Sequence, residues 1–477
     1  MQSATQRAVD VAVIGAGTAG LAAYRAAAQL TDRVMMIEGG INGTTCARVG
    51  CMPSKLLIAA GDAAYHAEHA VPFGVHATVR VDGRGVMDRV RRERDRFVGF
   101  VLESVERIPG DRKVHGRARF VAPGELEVHD AGGTLLESVK ARTIVIATGS
   151  SPFVPPMFEG VKDRLVVNDD VFAWESLPAS VAVFGAGVIG LELGQAFSRL
   201  GVRVSVFGQS GTIGPLTDPA VKASAVAAFR EEMPVFPDGA ARGVRRVEDG
   251  VEVTYVDLDG ATRLETFAYA LVAAGRKANL RGIGLEHAGI ELDARGTPVF
   301  DRTTLQCKAP GGKEPAPVFI AGDANDDVPL LHEASDEGKI AGENAARFPT
   351  VTAGLRRSLL AITFTEPQIA IAGSTFASLP NKDAVVVGEV SFVNQGRSRV
   401  MLQNKGVGHV YADRATGRFL GAELVGPRVE HIAHLLAWAH QQQLTVAAML
   451  EMPFYHPVVE EGLRTALRDA ASKIQKR

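Results

Sequence analysis

Apolar and polar positions along this chain fall into short strand-like runs, each followed by a helical stretch. Residues 9–14 are a compact Val- and Ile-rich run, the pattern of a buried strand, and lead straight into G-A-G-T-A-G at Gly15, Gly17 and Gly20. Helical spacing follows over 21–30, then a second strand at 34–37 that ends at Glu38. The same order returns later: strand 180–184, G-A-G-V-I-G at Gly185, Gly187 and Gly190, a helix to Leu200, and strand 202–207. Between the repeats, 86–108 predicts a long helix with Val86, Val90, Phe97, Val101 and Val105 on one stripe. Residues 113–140 predict an antiparallel meander, and 143–146 a strand entering A-T-G-S, with Thr148 and Gly149. A Pro-rich linker is expected at 151–156, a second meander at 242–270, and L-V-A-A-G-R at 271–276, with Gly275. A buried strand over 317–323 ends in Gly322-Asp323, and a helix follows over 329–347. Past Pro349 strands are predicted at 362–364, 384–392, 408–412 and 419–424, with a helix at 429–442. That texture is α+β and carries no nucleotide motif.

At 477 residues the chain is too long for one core. Hydrophobic content of 46% and 51 glycines suit a globular α/β enzyme. A net charge of −2 argues for no nucleic acid partner and no membrane partner. The run R-R-E-R-D-R at 91–96 mixes signs and reads as a solvated helix face. Residues 9–30 are nearly all apolar, but their glycines, Asp10 and Arg25 argue against a membrane span. Few cysteines and no evident targeting signal predict a cytoplasmic protein.

Two of the three cysteines lie in T-C-A-R-V-G-C-M-P-S-K, residues 45–55, and Cys307 lies far away in a polar stretch expected to be a loop. A close pair in a cytoplasmic-looking chain suggests metal binding or redox chemistry. Zinc needs about four ligands, and no second Cys/His pair with finger spacing exists, so metal is the weaker reading. In a straight helix, residues five apart have Cα atoms about 8–9 Å apart, while a disulfide needs about 4.4–6.8 Å. If Cys46 and Cys51 bridge, the stretch therefore breaks, with Gly50 as the expected point of distortion. Pro53 and the Ala/Leu-rich run behind it place Cys51 at a helix N-terminus with Lys55 one turn on, and both favour a thiolate.

In each glycine-rich unit the first glycine permits a tight turn, the second admits a pyrophosphate to the helix N-terminus, and the third lets helix and strand pack. Two units imply two dinucleotides. Glu38 is placed to accept from adenosine ribose hydroxyls. The equivalent position of the second unit falls near Gly208, and no Lys or Arg lies in 208–214 to hold a 2′-phosphate, which favours NAD over NADP. Glu192 is expected to pair with Lys55, and Asp323, at a strand's C-terminal end, to bind a ligand hydroxyl. Pro457 is read as a helix start, with His456 just ahead and Glu461 on the second turn, the spacing either of a capping histidine beside a surface Glu or of an acid/base histidine oriented by a carboxylate. Glu430, His431 and His434 read as helix-surface polar residues, so no metal is expected.

Together these pieces resemble the class I pyridine nucleotide–disulfide oxidoreductase family, most closely its dihydrolipoamide-oxidising members. The resemblance spans nearly the whole chain and rests on G-T-T-C-A-R-V-G-C-M-P-S-K, the two glycine-rich units, A-T-G-S, Gly322-Asp323, and His456-Pro457 with Glu461. It implies two Rossmann-like dinucleotide-binding domains, for FAD (1–150) and NAD (151–275). A central domain (276–348) would complete the FAD site, and a C-terminal α+β dimerisation domain would occupy 349–477. FAD would be held by Gly15, Gly17, Gly20, Glu38, Thr45, Lys55, Thr148, Gly149, Asp323, Leu331 and His332. NAD would be held by Gly185, Gly187, Ile189, Gly190, Glu192 and Gly275. Cys46 and Cys51 would form the redox disulfide, Cys46 exchanging with substrate and Cys51 facing the flavin as a charge-transfer thiolate. His456 and Glu461 would serve the cysteines of the other subunit, so a homodimer is implied. The expected partner is a lipoyl-bearing protein or free dihydrolipoamide, within a 2-oxoacid dehydrogenase complex or outside one; no lipoyl domain is expected ahead of Val9.

Two positions depart from the family. Val458 stands where Thr or Ser follows His-Pro, and Gly208 stands where the nicotinamide unit carries Glu. The absence of a further C-terminal cysteine pair argues against a mercuric reductase. An NADPH-dependent, glutathione-reductase-like enzyme and a catalytically weak structural flavoprotein are the alternatives.

Overall fold

The computed structural model describes residues 5–239, 241–312 and 315–475; the outermost residues of the first and last expected domains lie outside that set. The chain divides into two compact units. One contains Met1–Pro53, Arg92–Pro152 and Arg276–Arg356, and the other Ser54–Arg91, Phe153–Gly275 and Arg357–Arg477.

The first unit is built on a seven-stranded sheet. Lys113–His115, Val34–Glu38, Thr5–Ile14, Leu135–Ile146 and Val318–Ile320 form its parallel part, and Arg117–Ala122 and Glu125–His129 extend it antiparallel. Two expectations change here. Residues 113–115 pair parallel with Val34–Glu38, outside the meander. Residues 135–146 form one strand: its first part closes the meander against Glu125–His129 and its second joins the parallel sheet. Register matters most at the carboxyl edge. Ile14 is level with Ile37 and Ile146, and Ile146 with Ile320. The chain therefore leaves all four strands on one edge, where ligands bind in open α/β sheets. The expected linker at 151–156 begins as strand, Ser150–Pro152, paired with Arg276–Ala278.

Helices Thr18–Ala28 and Leu331–Arg347 approach backbone to backbone against this sheet. A Cβ on Gly338 or Gly342 would lie 2.2 Å from the carbonyl oxygen of Ala19 or Ala23 respectively. Cys307 is also in this unit and is fully buried, with an isolated bridge to Phe300, not in a polar loop as expected. Burial pushes its thiol pKa up, so it is an unreactive core residue.

The second unit contains a five-stranded parallel sheet in the order Val235–Phe236, Arg203–Phe207, Ser180–Phe184, Tyr269–Val272, Leu165–Val166. The antiparallel strands Ala241–Val247, Gly250–Val256 and Thr262–Phe267 lie beside it in sequence. Its C-terminal part is a five-stranded antiparallel sheet, Leu360–Thr363, Gln368–Gly373, Phe419–Gly426, Val407–Asp413, Val385–Ser391. Helices Val429–Gln441 and Glu461–Gln475 pack on it through Ile432, Leu436, Leu463 and Leu467. The sequence pattern missed Gln368–Gly373. That strand is paired on both edges and buried from Ile369 onward, so it shows no alternation.

In an open helix a Gly→Ala change gains about 1 kcal/mol. At Gly342 the overlap with Ala23 reverses the sign. Gly342→Ala is expected to destabilise the protein by about 1–3 kcal/mol, read as a lower urea midpoint; an unchanged or raised midpoint would show that the two helices are not in direct contact.

Candidate active site

The cysteine stretch breaks at Gly50. Helix Thr45–Val49 ends there at φ −126°, ψ −118°, and a new 18-residue helix starts at Cys51. A Cβ on Gly50 would stand 3.1 Å from the Thr45 carbonyl oxygen and 3.2 Å from Cys46 Cα, so the backbone folds back over the first cysteine. Cys46 is half-buried and Cys51 exposed. Thr44, ahead of the first helix, sits at φ 56°, ψ 147°, and its Oγ1 accepts from the Ala47 N–H at 3.2 Å. This backbone region belongs almost wholly to glycine, so a β-branched residue here is strained.

Several of the residues expected to hold FAD lie at the carboxyl edge of the first unit. A Cβ on Gly20 would lie 1.8 Å from the Gly15 carbonyl oxygen, whereas nothing lies within 4 Å of one on Gly17. Gly20 is therefore required by packing, and Gly17 leaves an open backbone cradle. Glu38 accepts from the N–H of Ala16 and of Gly40, each at 2.6 Å, which fixes its carboxylate beside the turn with lone pairs remaining. Asp323 accepts from the Ser150 hydroxyl at 2.6 Å, and Arg276 donates to Ser150 Oγ at 2.8 Å and to its carbonyl at 2.7 Å. Among the described residues, the buried Thr148 Oγ1 and Asn42 Oδ1 have no hydrogen-bond partner. An open cradle with orphaned polar atoms at a sheet edge fits a polar ligand such as FAD. Gly149 is likewise open around its Cα; Leu331 is exposed and His332 half-buried at the start of their helix.

The turn that carries Asp323 is held from behind. The Glu337 carboxylate, fully buried, accepts from the Gly322 N–H at 2.7 Å and from Asn325 Nδ2 at 2.8 Å, and pairs with Arg356 Nη2 at 2.7 Å. Burial raises the Glu337 pKa, against the opposing pull of Arg356.

In the second unit the glycine geometry repeats. A Cβ on Gly190 would lie 1.8 Å from the Gly185 carbonyl oxygen, and nothing lies within 4 Å of one on Gly187. Ile189 is half-buried at the start of the same helix, and Gly275 is open at φ 104°. Gly208 has no room for a side chain: a Cβ would meet Ala186 at 3.0 Å and Pro237 at 3.1 Å. The fold brings other charged groups to this loop. Asp238 Oδ1 lies 3.4 Å and Lys222 Nζ 3.8 Å from where a Gly211 Cβ would stand.

Lys55 donates to Glu192 Oε2 at 2.8 Å and Oε1 at 3.0 Å, as expected, and Glu192 also accepts from the Phe364 N–H at 2.9 Å. Further along the Cys51 helix, the buried Arg199 pairs with Asp62 at 2.7 Å, Glu232 at 2.8 Å and Glu366 at 2.9 Å. His66 bonds the same Glu366 carboxylate at 3.0 Å, which raises the histidine pKa. Burial works to raise the Glu366 pKa, but the bonds from His66 and Arg199 outweigh it and bring the value from 4.5 to about 2.

His456 Nδ1 bonds Glu461 at 3.0 Å, with the imidazole exposed and the carboxylate half-buried. Pro457 does not start the helix. It follows a cis peptide bond, and Glu461 is the first helical residue. His434 bonds the Glu430 carbonyl, and among the described residues no group of three or more candidate ligands could hold a metal.

Sequence reasoning located the cysteines, both glycine loops, Glu38, Asp323, Glu192 and His456–Glu461. It missed the Thr44 strain, the Glu337–Arg356 clamp, the Arg199 network and the approach of Lys222 and Asp238. The Arg199 partners lie 137, 33 and 167 residues away, so no spacing could have marked them.

The chain matches the pyridine nucleotide-disulphide oxidoreductase family over residues 9–338 and the dimerisation domain of that family over 360–467. It belongs to this family, and it is a flavoprotein oxidoreductase that works with FAD and a nicotinamide dinucleotide. The dimerisation domain supports a homodimer. A dihydrolipoyl dehydrogenase of Halobacterium salinarum is 32% identical over 467 residues, covering 97% of this chain and 96% of that one. A dihydrolipoyl dehydrogenase of Bacillus subtilis is 29% identical over 456 residues, covering 95% and 94%. Among solved structures, LpdA from Mycobacterium tuberculosis superposes with a TM-score of 0.81 at 25% identity, covering 96% of this chain and 99% of that one. The HOCl-induced flavoprotein disulfide reductase RclA from Escherichia coli shares the fold, with a TM-score of 0.79 at 21% identity over 97% and 99%. Among the described residues no helix is long and apolar enough to cross a membrane.

Two outcomes follow from the local geometry. Thr44→Gly relieves about 1–3 kcal/mol of backbone strain and loses only a few tenths as an N-cap, so the melting temperature should rise; a fall would refute the strained backbone. Glu366 has a folded-state pKa below its unfolded value. Its contribution, about 3 kcal/mol at neutral pH, is full above pH 4.5 and fades as pH drops toward about 2. Glu366→Gln should therefore cost stability at pH 7, and the gap to wild type should narrow on acidification. A gap that stayed constant down to the lowest pH at which the fold survives would remove the ion pair from the account.

Proposed function

We propose that the protein is a dihydrolipoyl dehydrogenase, oxidising dihydrolipoamide through a Cys46–Cys51 disulfide and passing the electrons to NAD+. The observation that carries this reading is the His456–Glu461 pair at 3.0 Å in a chain whose two cysteines flank the Gly50 break. Full-length similarity to dihydrolipoyl dehydrogenases supports it.

A thiol of dihydrolipoamide gives its proton to His456, and the thiolate attacks Cys46 Sγ. The S–S bond opens, Cys51 leaves as a thiolate at the start of its helix, and substrate and Cys46 form a mixed disulfide. The second substrate thiol, deprotonated in turn, attacks the mixed disulfide, releasing lipoamide and leaving both cysteines reduced. Glu461 holds the His456 tautomer and stabilises the imidazolium. FAD, when bound, supplies the acceptor that takes the electron pair from the thiols and returns it as hydride to the nicotinamide. Gly15, Gly17, Gly20, Glu38, Thr45, Lys55, Thr148, Gly149, Asp323, Leu331 and His332 would hold FAD. Gly185, Gly187, Ile189, Gly190, Glu192 and Gly275 would hold NAD. The domain spans 1–150, 151–275, 276–348 and 349–477 would divide these roles, with each subunit's His456 serving its partner's cysteines. The setting is cytoplasmic, with free dihydrolipoamide or a lipoyl-bearing protein as the reductant.

Lys222 beside the Gly211 loop favours a second reading, an NADPH-dependent reductase of another disulfide. Steady-state turnover of lipoamide and of glutathione disulfide with NADH and NADPH separates the two. Cys46→Ser should abolish lipoamide turnover and spare NADH-to-dye electron transfer. Surviving lipoamide turnover would overturn the assignment of the exchange thiol, and a strong NADPH preference would overturn the choice of NAD.

A further inference from the structure

The loop that carries His456 borders a cavity of about 300 Å³. Its wall begins at the next residue: Pro457, Val458, Val459 and Glu460 line it together with Arg397, Arg428 and His431. Neither guanidinium has an ion-pair or hydrogen-bond partner among the described residues. Among the described residues most arginines are paired, and two without a partner line this one hollow. His431 has Glu430 at 3.7 Å, and Glu460 contributes one negative charge against two fixed positive ones. The Val458 side chain offers no hydrogen-bonding group, and its carbonyl already accepts from Gln395 Nε2 at 2.8 Å, so recognition of an anion falls to the arginines. Arg428 is held at φ 50°, ψ 30°, a left-handed conformation that glycine or asparagine takes more readily.

Resting on the dithiol-oxidising reading above, we propose that this cavity is a subsite for a carboxylate on the sulfur substrate. The enzyme then prefers an acidic dithiol over its neutral amide. A guanidinium fork binds a carboxylate through two charge-assisted hydrogen bonds and gains little from an amide. Pro457 in the cavity wall directly follows His456, so a substrate thiol that meets this imidazole would carry its carboxylate arm toward the cavity.

The test uses the full-length holoenzyme and two small substrates that differ only at this group, dihydrolipoate and dihydrolipoamide. The ratio of their kcat/KM values should favour the acid by about tenfold or more and shrink as salt is raised. Arg428→Gly suits the local backbone and removes the charge, and it should collapse the ratio, as should Arg397→Gln; Arg428→Lys keeps the charge without the fork and should keep only part of it. A ratio near one, or one that both charge-removing variants leave unaltered, overturns the proposal. If neither dithiol is turned over, the dihydrolipoyl reading fails by itself. Equilibrium titration of the oxidised enzyme with lipoate and lipoamide then reads the cavity directly: tighter lipoate binding that is lost in Arg428→Gly supports the subsite, and equal binding sinks it. Preference for an acidic lipoyl-bearing protein without preference for the small acid also overturns it.

Discussion

Two sulfur atoms five positions apart meet only where the backbone leaves the α-helix. Gly50 is where this chain leaves it, and much of the surrounding structure follows from that break. The helix must restart at Cys51, which places this thiol at the positive end of a helix dipole. The first, five-residue helix must enter at an angle that only a left-handed residue allows, and Thr44 occupies that position under strain. The reactive segment therefore carries distortion on both sides of Cys46.

Behind this segment, the remainder of the Cys51 helix is held by charge. Lys55, two turns on Asp62, and one turn further His66 share this helix, and each is tied to Glu192, Arg199 or Glu366. Gly61 lets the Ala196 backbone approach, with its carbonyl oxygen 3.1 Å from where a Cβ would stand. Exchanging a whole buried cluster of this kind for apolar side chains can be neutral, because desolvation offsets attraction, whereas losing one partner leaves the others uncompensated. The pairs do fix register: a helix bound at Lys55 and again at Asp62 cannot slide or rotate without stranding a carboxylate. A reaction that moves protons and electrons between close atoms gains from such rigidity.

What could be read in advance was local. Strand, glycine turn, helix and strand occupy contiguous residues, and each glycine has its own steric reason, so both nucleotide units were legible from pattern alone. The same holds for the Gly50 break and for the five-residue spacing of His456 and Glu461. Lys55–Glu192 was the one long-range ion pair anticipated, from the position of Glu192 on the helix that opens the second unit. Strand Gln368–Gly373 escaped because burial on both faces erases alternation. Cys307 looked exposed because its neighbours are polar, yet it faces the core. The Arg199 cluster and the Glu337–Arg356 clamp are assembled only by tertiary folding, and nothing along the chain announces them.

The duplicated glycine loops have a consequence for redesign. Gly17 and Gly187 expose equivalent stretches of bare backbone, and Gly20 and Gly190 are wedged equally tightly. A phosphate bridge meets the same scaffold twice, so the loops themselves are poor discriminators between coenzymes. Selectivity has to reside at the tips of the neighbouring strands, where one unit presents Glu38 and the other a crowded Gly208, with Asp238 and Lys222 close to Gly211 in the loop beyond it. Anyone retuning coenzyme choice in this scaffold would edit those rims and leave the two pyrophosphate platforms untouched.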